Sequence, residues 1–132
     1  MSPVRHFLWT RGRSFRYAFS GWWFVIRTQQ NAWIHAVVSV AVVIVSFWLG
    51  LTSTEWALIL VAIAMVWTAE FLNTALESVV DLASPEHHHL AKTCKDVGAA
   101  AVLIASGSSI IIGLLILGPP LWQRLQPLFT SQ

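Results

Sequence analysis

The chain has 132 residues, 56% of them hydrophobic and only 11% charged, with a net charge of +2 and a mean hydropathy of +0.66. Soluble domains carry about 25% charged residues, so this composition excludes an ordinary water-soluble enzyme and points to an all-α integral membrane protein. The single cysteine, Cys94, excludes an intrachain disulfide, and no Cys/His spacing matches a zinc site.

No internal repeat is visible, and residues 1–132 read as one membrane-embedded domain. Residues 1–12 carry no strong pattern and are expected to be disordered. Five arginines in the first 27 residues, with no continuous apolar core, argue against a cleavable signal peptide. Residues 13–27 read as a surface helix. Arg13, Arg16, Ser20 and Arg27 share one face, and Phe15, Phe19, Trp22 and Ile26 the opposite one, while Tyr17 and Phe24 breach the polar side. Such a helix suits the interface plane, either as a plain anchor or as the wall of a site at headgroup level.

Thr28, Gln29, Gln30 and Asn31 mark a turn into a first span over about 32–51. Trp33, Trp48 and Trp56 fall near the expected interfaces, where indole rings prefer to lie. Trp67 is deeper and is expected to pack between helices. His35, early in the first span, reads as a hydrogen-bonded structural histidine in preference to a ligand.

The second span, about 56–80, holds nothing charged from Trp56 to Ala69 and then carries Glu70, Asn73, Glu77 and Asp81. The spacing i, i+3, i+7, i+11 places these four within roughly 80° on one helix face. A carboxylate at membrane depth costs about 2.5–3.5 kcal/mol on insertion scales and is kept mostly for function. Two carboxylates one or two turns apart suit a general base and a metal ligand. Asp81, furthest towards water, is the weakest member.

The segment Leu82 to Cys94 opens with Ala83-Ser84-Pro85-Glu86, a turn and helix-start signal. His87, His88 and His89 follow in a row, so they cannot share a helix face. They read as a solvated loop, or as one or two contacts to a phosphate or nucleotide. Asp96 suits the N-terminus of the next helix electrostatically, whereas Lys95 opposes the helix dipole and is the better functional candidate.

The third span, Val97 to Leu117, has 21 residues, or about 31 Å of helix, enough for a bilayer core. Gly98, Ala99, Ala100, Ala101, Ala105, Ser106, Gly107 and Gly113 permit close helix approach, and are expected to pack against neighbouring subunits. Gly118-Pro119-Pro120 is expected to end the helix, with Trp122 at the outer interface. Arginines before the first span, and Lys92 and Lys95 before the third, put the N-terminus and the second loop in the cytoplasm.

The run Glu70-Phe-Leu-Asn73-Thr-Ala-Leu-Glu77-Ser-Val-Val-Asp81, followed by Lys95-Asp96-Val-Gly-Ala-Ala-Ala-Val, resembles the prokaryotic diacylglycerol kinase family, which includes undecaprenol kinases. The resemblance covers roughly residues 13–117, with Phe15-Arg-Tyr17-Ala and Gly21 in the surface helix. It implies a homotrimer of three-span chains in the bacterial cytoplasmic membrane, an interfacial N-terminal helix, and intersubunit sites at the cytoplasmic surface. It implies ATP- and magnesium-dependent phosphorylation of a lipid hydroxyl, diacylglycerol or undecaprenol.

Carried onto matching positions, the resemblance makes Glu70 the general base and Asn73 a supporting site residue. It makes Glu77 a magnesium ligand, Lys95 a phosphate contact and Asp96 a nucleotide contact. Tyr17, Glu86, His87 and His88 match further nucleotide-contacting positions. No G-x-x-x-x-G-K-[ST] or kinase-type Gly-rich loop is present, so a nucleotide site has to come from scattered residues.

One position departs from the family. Many members hold a glutamate in the turn before the first span, sharing the metal and nucleotide site with the Glu77 equivalent. Alignment on Tyr17 and Gly21 puts Gln29 there, whose amide oxygen can coordinate magnesium but supplies no charge. A degenerate, non-catalytic module that binds lipid or partners is the competing reading, and Gln29 is its main support. A proton or ion carrier is disfavoured, because Ala36 to Leu51 and Val97 to Leu117 add no Asp, Glu or Lys deeper in the membrane.

Overall fold

Apolar segments in hydrocarbon must satisfy their own backbone hydrogen bonds, and a helix does this within one segment. The computed structural model describes residues 3–84, 86 and 88–130, with side chains over 13–84, 86 and 88–127. The described residues form four helices: α1 (Pro3–Thr28), α2 (Gln30–Leu49), α3 (Ser53–Ala83) and α4 (His89–Thr130). No strand occurs among the described residues. Three helices, Gln30–Leu49, Ser53–Ala83 and His89–Pro127, are long and apolar enough to cross a membrane. The chain divides into two compact units, Met1–Ile34 and His35–Gln132.

In the first unit, α1 begins at Pro3, so the N-terminal segment expected to be disordered is helical from that residue on. Proline is well suited to a first helical position, where its missing N–H would have no intrahelical partner. Gln29 is the one non-helical residue between α1 and α2. Its N–H closes α1 on the Val25 carbonyl at 2.9 Å, and its carbonyl accepts from Ala32 N–H at 3.2 Å. The polar cluster 28–31 thus does mark a turn. Residues 13–24 are exposed throughout, on the arginine side and on the aromatic side alike. Arg13 donates to the Tyr17 hydroxyl at 2.9 Å, and the Arg27 guanidinium lies 5.1 Å from the Trp23 ring centre.

In the second unit, α2 and α3 form an antiparallel pair joined by a tightly built turn. Gly50, at φ 73°, takes the left-handed conformation that ends α2. Gly50 N–H donates to the Phe47 carbonyl at 3.2 Å, and Leu51 N–H to that of Ser46 at 3.4 Å. Thr52 and Glu55 then cap α3 reciprocally, the Thr52 N–H donating to the Glu55 carboxylate at 2.7 Å. Along the pair, Phe47 stacks on Trp56 with ring centres 4.6 Å apart, and Trp67 Nε1 donates to Ser39 Oγ at 3.2 Å. Trp67 is buried, as its depth in the span predicts.

The helix α3 is the most buried of the three, and α4 lies along it. Gly98, Val102 and Ala105 of α4 are buried, and Ser109 Oγ donates to the Ala62 carbonyl at 3.0 Å. A Cβ at Gly98 would fall on Asn73 Oδ1 and within 3.1 Å of Leu76 Cδ2. The small residues of the third span were expected to serve subunit contacts. Gly98 in fact seats α4 against α3 of the same chain, while Ala99, Ala100 and Ala101 remain exposed.

Two boundaries differ from expectation. The helix α4 starts at His89, two turns before Val97, because His88 Nδ1 accepts the Leu90 N–H at 3.2 Å and caps its first turn. It also does not stop at Gly118-Pro119-Pro120 but runs to Thr130 with Pro119, Pro120 and Pro127 inside it. The proline φ suits a helix, and the two adjacent prolines forgo only the bonds to the Leu115 and Ile116 carbonyls. Beyond them the Arg124 guanidinium lies 5.2 Å from the Trp48 ring centre on α2, a cation–π contact that ties the end of α4 back to the unit.

The left-handed turn at Gly50 gives a direct test. Gly50→Ala is expected to destabilise the fold by about 1–2 kcal/mol and Gly50→Asn by less, since Asn tolerates that conformation. The comparison is of unfolding midpoints in the same detergent micelle.

Candidate active site

The acidic stripe grades from buried to wet along one helix. Glu70 is 2% exposed, Asn73 and Glu77 are half-buried, and the Asp81 side chain is 66% exposed. Helix α3, at 31 residues, is about 46 Å long and exceeds a hydrocarbon core of about 30 Å. At that length α3 can cross such a core and still project beyond it. The Glu70 carbonyl accepts the Thr74 hydroxyl at 2.9 Å, and the Thr74 carbonyl accepts that of Ser78 at 2.8 Å. These local bonds satisfy hydroxyls on the helix without drawing on the carboxylates.

Asn73 engages the second of the two carboxylates, Glu77. Its Nδ2 donates to Glu77 Oε1 at 3.0 Å, which fixes one oxygen of that carboxylate. Its Oδ1 is buried and has no hydrogen-bond partner, and it faces Gly98. Gly98 thus shapes the candidate site, whereas its small size in sequence points only to helix packing. The signal was there, since Gly98 lies one turn beyond Lys95 in a run otherwise filled with alanine. An open groove of about 710 Å³ runs along this part of α3 and α4, past Met65, Leu72, Asn73, Gly98 and Ile104. Its walls are almost wholly apolar.

A second cleft, about 550 Å³, lies where the stripe reaches water. Asp81, Glu86, His88, Lys92, Lys95 and Asp96 line it. Lys95 Nζ pairs with Asp81 Oδ1 at 2.5 Å across α3 and α4. This revises two arguments from sequence. Because α4 begins at His89, Lys95 and Asp96 sit two turns inside the helix, away from its N-terminal dipole. Lys95 also has a structural partner, Asp81, which is no longer merely a solvated helix end.

The remaining candidates are placed as follows. His88 caps α4 through Nδ1, and Glu86 is exposed, its carbonyl accepting the Ser84 hydroxyl at 3.1 Å. His87 lies outside the described residues. Tyr17 and Gln29 belong to the first unit, Tyr17 exposed in α1 and Gln29 at the corner between α1 and α2. Among the described residues, no three His, Cys, Asp or Glu side chains converge on a common metal position. The donor set still fits magnesium, which commonly takes one or two carboxylates and completes its shell with substrate phosphates and water. Glu77, held by Asn73 one turn before Asp81, would be such a carboxylate.

The chain is similar along most of its length to known lipid kinases. The model of the prokaryotic diacylglycerol kinase family matches residues 16–117. An undecaprenol kinase of Bacillus subtilis is 43% identical over 109 residues, covering 83% of this chain and 89% of that protein. A diacylglycerol kinase of Synechocystis is also 43% identical over 109 residues, covering 82% of this chain and 62% of that protein. A diacylglycerol kinase of Escherichia coli is 33% identical over 93 residues, covering 65% and 76%. The matched region takes in the acidic stripe, Gly98 and the cleft, and the chain belongs to the prokaryotic diacylglycerol kinase family, by that membership a lipid kinase.

Proposed function

We propose that the protein transfers the γ-phosphoryl group of magnesium ATP to the free hydroxyl of a membrane lipid at the cytoplasmic surface. The observation that carries this reading is the graded stripe. A buried carboxylate, Glu70, stands two turns from a fixed one, Glu77, on a helix that runs on into a cleft with both charge signs. The acceptor is a lipid alcohol. The relatives' names supply two, undecaprenol and diacylglycerol, at equal identity.

Phosphoryl transfer asks little covalent work of a protein and depends on alignment and charge neutralisation. In the proposed reaction Glu70 accepts the hydroxyl proton as the lipid oxygen attacks the γ-phosphorus. The bond from that phosphorus to the bridging oxygen breaks, and ADP leaves with the electron pair. Its burial keeps Glu70 from water that would compete with the lipid alcohol. Asn73 holds Glu77 for the magnesium that, when bound, neutralises phosphate charge. Lys95 turns to the phosphates. Its pair with Asp81 is open to solvent, and such pairs are worth about 0–1 kcal/mol, so a polyphosphate readily displaces the carboxylate. Asp96, Glu86 and His88 line the same cleft and are proposed nucleotide contacts. For Tyr17 and Gln29, in the other unit, and for His87, the assignment rests on the resemblance alone.

The membrane-spanning assignments over about 32–51, 56–80 and 97–117, the N-terminus in the cytoplasm, the interfacial helix over 13–27 and a homotrimer complete the proposal. Arginine placement supports the orientation. The large exposed apolar surface of α2 and α4, with Phe47, Leu103, Leu115 and Trp122 all open, supports burial in lipid and against other subunits.

Three outcomes test this reading with the purified protein, magnesium ATP, and diacylglycerol and undecaprenol offered side by side. Glu70→Gln keeps the shape but cannot take a proton, and is expected to lower kcat by about 10²–10⁴-fold. Full turnover in that variant would remove the assigned base. Gln29→Glu is expected to lower the magnesium concentration needed for half-maximal rate, and no change would take Gln29 out of the metal shell. Gly98→Ala pushes Asn73 from Glu77 and is expected to raise the magnesium requirement while the unfolding midpoint changes little. An unchanged magnesium titration in Gly98→Ala would separate Asn73 from the metal site.

A further inference from the structure

Register within the α2/α3 pair brings His35, a residue the proposed mechanism does not use, opposite the base. The helices run antiparallel, and Phe47–Trp56 and Ser39–Trp67 fix the pairing near one end and in the middle. One turn further, back four residues along α2 from Ser39 and forward three along α3 from Trp67, the facing positions are His35 and Glu70. His35 is half-buried, while Glu70 is almost fully so. The titratable groups that act electrostatically on the Glu70 carboxylate are His35 from α2 and Glu77 from its own helix.

A carboxylate buried on a membrane helix needs a hydrogen-bond donor across the interface to hold one rotamer. The described side chains of α2 supply one ionisable group, His35. Ser39, one turn away, stands opposite Trp67 and accepts its indole N–H, so it lies at a different level of the pair. An imidazole reaches further than a hydroxyl and suits a helix pair spaced by large side chains.

We propose that His35 is a positioning residue for the reaction, donating an imidazole N–H to the Glu70 carboxylate and turning its free oxygen towards the acceptor hydroxyl. The inference rests on Glu70 being the base of a lipid kinase. His35 does not itself touch the lipid or the nucleotide. It sets how often the base stands in the productive rotamer, which is a kcat effect.

The test compares His35→Phe, which keeps ring volume without a donor, with His35→Gln, which keeps a donor, in the full chain with magnesium ATP and the lipid alcohol. His35→Phe is expected to lower kcat by at least about tenfold with the KM for ATP unchanged. His35→Gln is expected to recover most of that loss. His35→Ala, which adds no bulk, is expected to match His35→Phe and guards against a packing defect in that variant. Three results would overturn the inference: wild-type kcat in His35→Phe and His35→Ala, a loss in His35→Gln as deep as in His35→Phe, or a raised ATP KM at constant kcat. If the wild type phosphorylates lipid and Glu70→Gln does not, such a result removes His35 alone. An inactive wild type removes the kinase reading and this one with it.

Discussion

Hydrocarbon offers no partner to a polar group, and that constraint shapes every element of the second unit. Backbone groups are satisfied by unbroken helices, and the polar side chains that remain at depth look across to a neighbouring helix or back along their own. Trp67 finds Ser39, Ser109 finds the Ala62 carbonyl, and Thr74 and Ser78 bond to the turn before them. These bonds are modest singly, but each works only in one register. They hold α2, α3 and α4 so that the acids meet chosen neighbours. The same register surrounds Glu70 with protein.

Much of this was legible because periodicity and chemistry coincide in the stripe. Glu70, Asn73, Glu77 and Asp81 share a helix face from spacing alone, and an apolar run before them sets their depth. The turn at 28–31 and the buried Trp67 followed from local composition. What escaped was information held between helices. Gly98 looks like any small residue until Asn73 is seen against it, and Lys95 looks unpartnered until α4 is laid beside Asp81. The end of α4 differs from expectation for a different reason. Gly-Pro-Pro is a strong stop in water, where freed carbonyls are readily hydrated, but a helix of 42 residues carries two lost bonds within its length. His88 illustrates a third limit, since a histidine in a polar loop gives no sign that its ring will cap the next helix.

Family membership and site geometry answer different questions. The family assigns the reaction class, and the geometry distributes labour among residues that a motif treats as equals. Within the motif, Asn73 emerges as a structural intermediary with one amide end on Glu77 and the other pressed to the backbone of α4 at Gly98. Asp81 changes from an incidental acid to the resting partner of Lys95. That pair is open to solvent on both sides and therefore weak.

The unbroken length of α3 has a mechanical consequence. Its capped start at Ser53 and its buried acid at Glu70 belong to one rigid rod, about 26 Å apart along the axis. The helix thus works as a depth gauge: anchoring at one face of the bilayer sets how far the carboxylate stands from the other. A lipid hydroxyl keeps to its own leaflet, so membrane thickness becomes a variable of alignment. Thin or thick bilayers, through hydrophobic mismatch, tilt or slide the rod and shift the Glu70 carboxylate relative to the membrane surface. The depth of this carboxylate is in this sense partly a property of the lipid in which the helix sits.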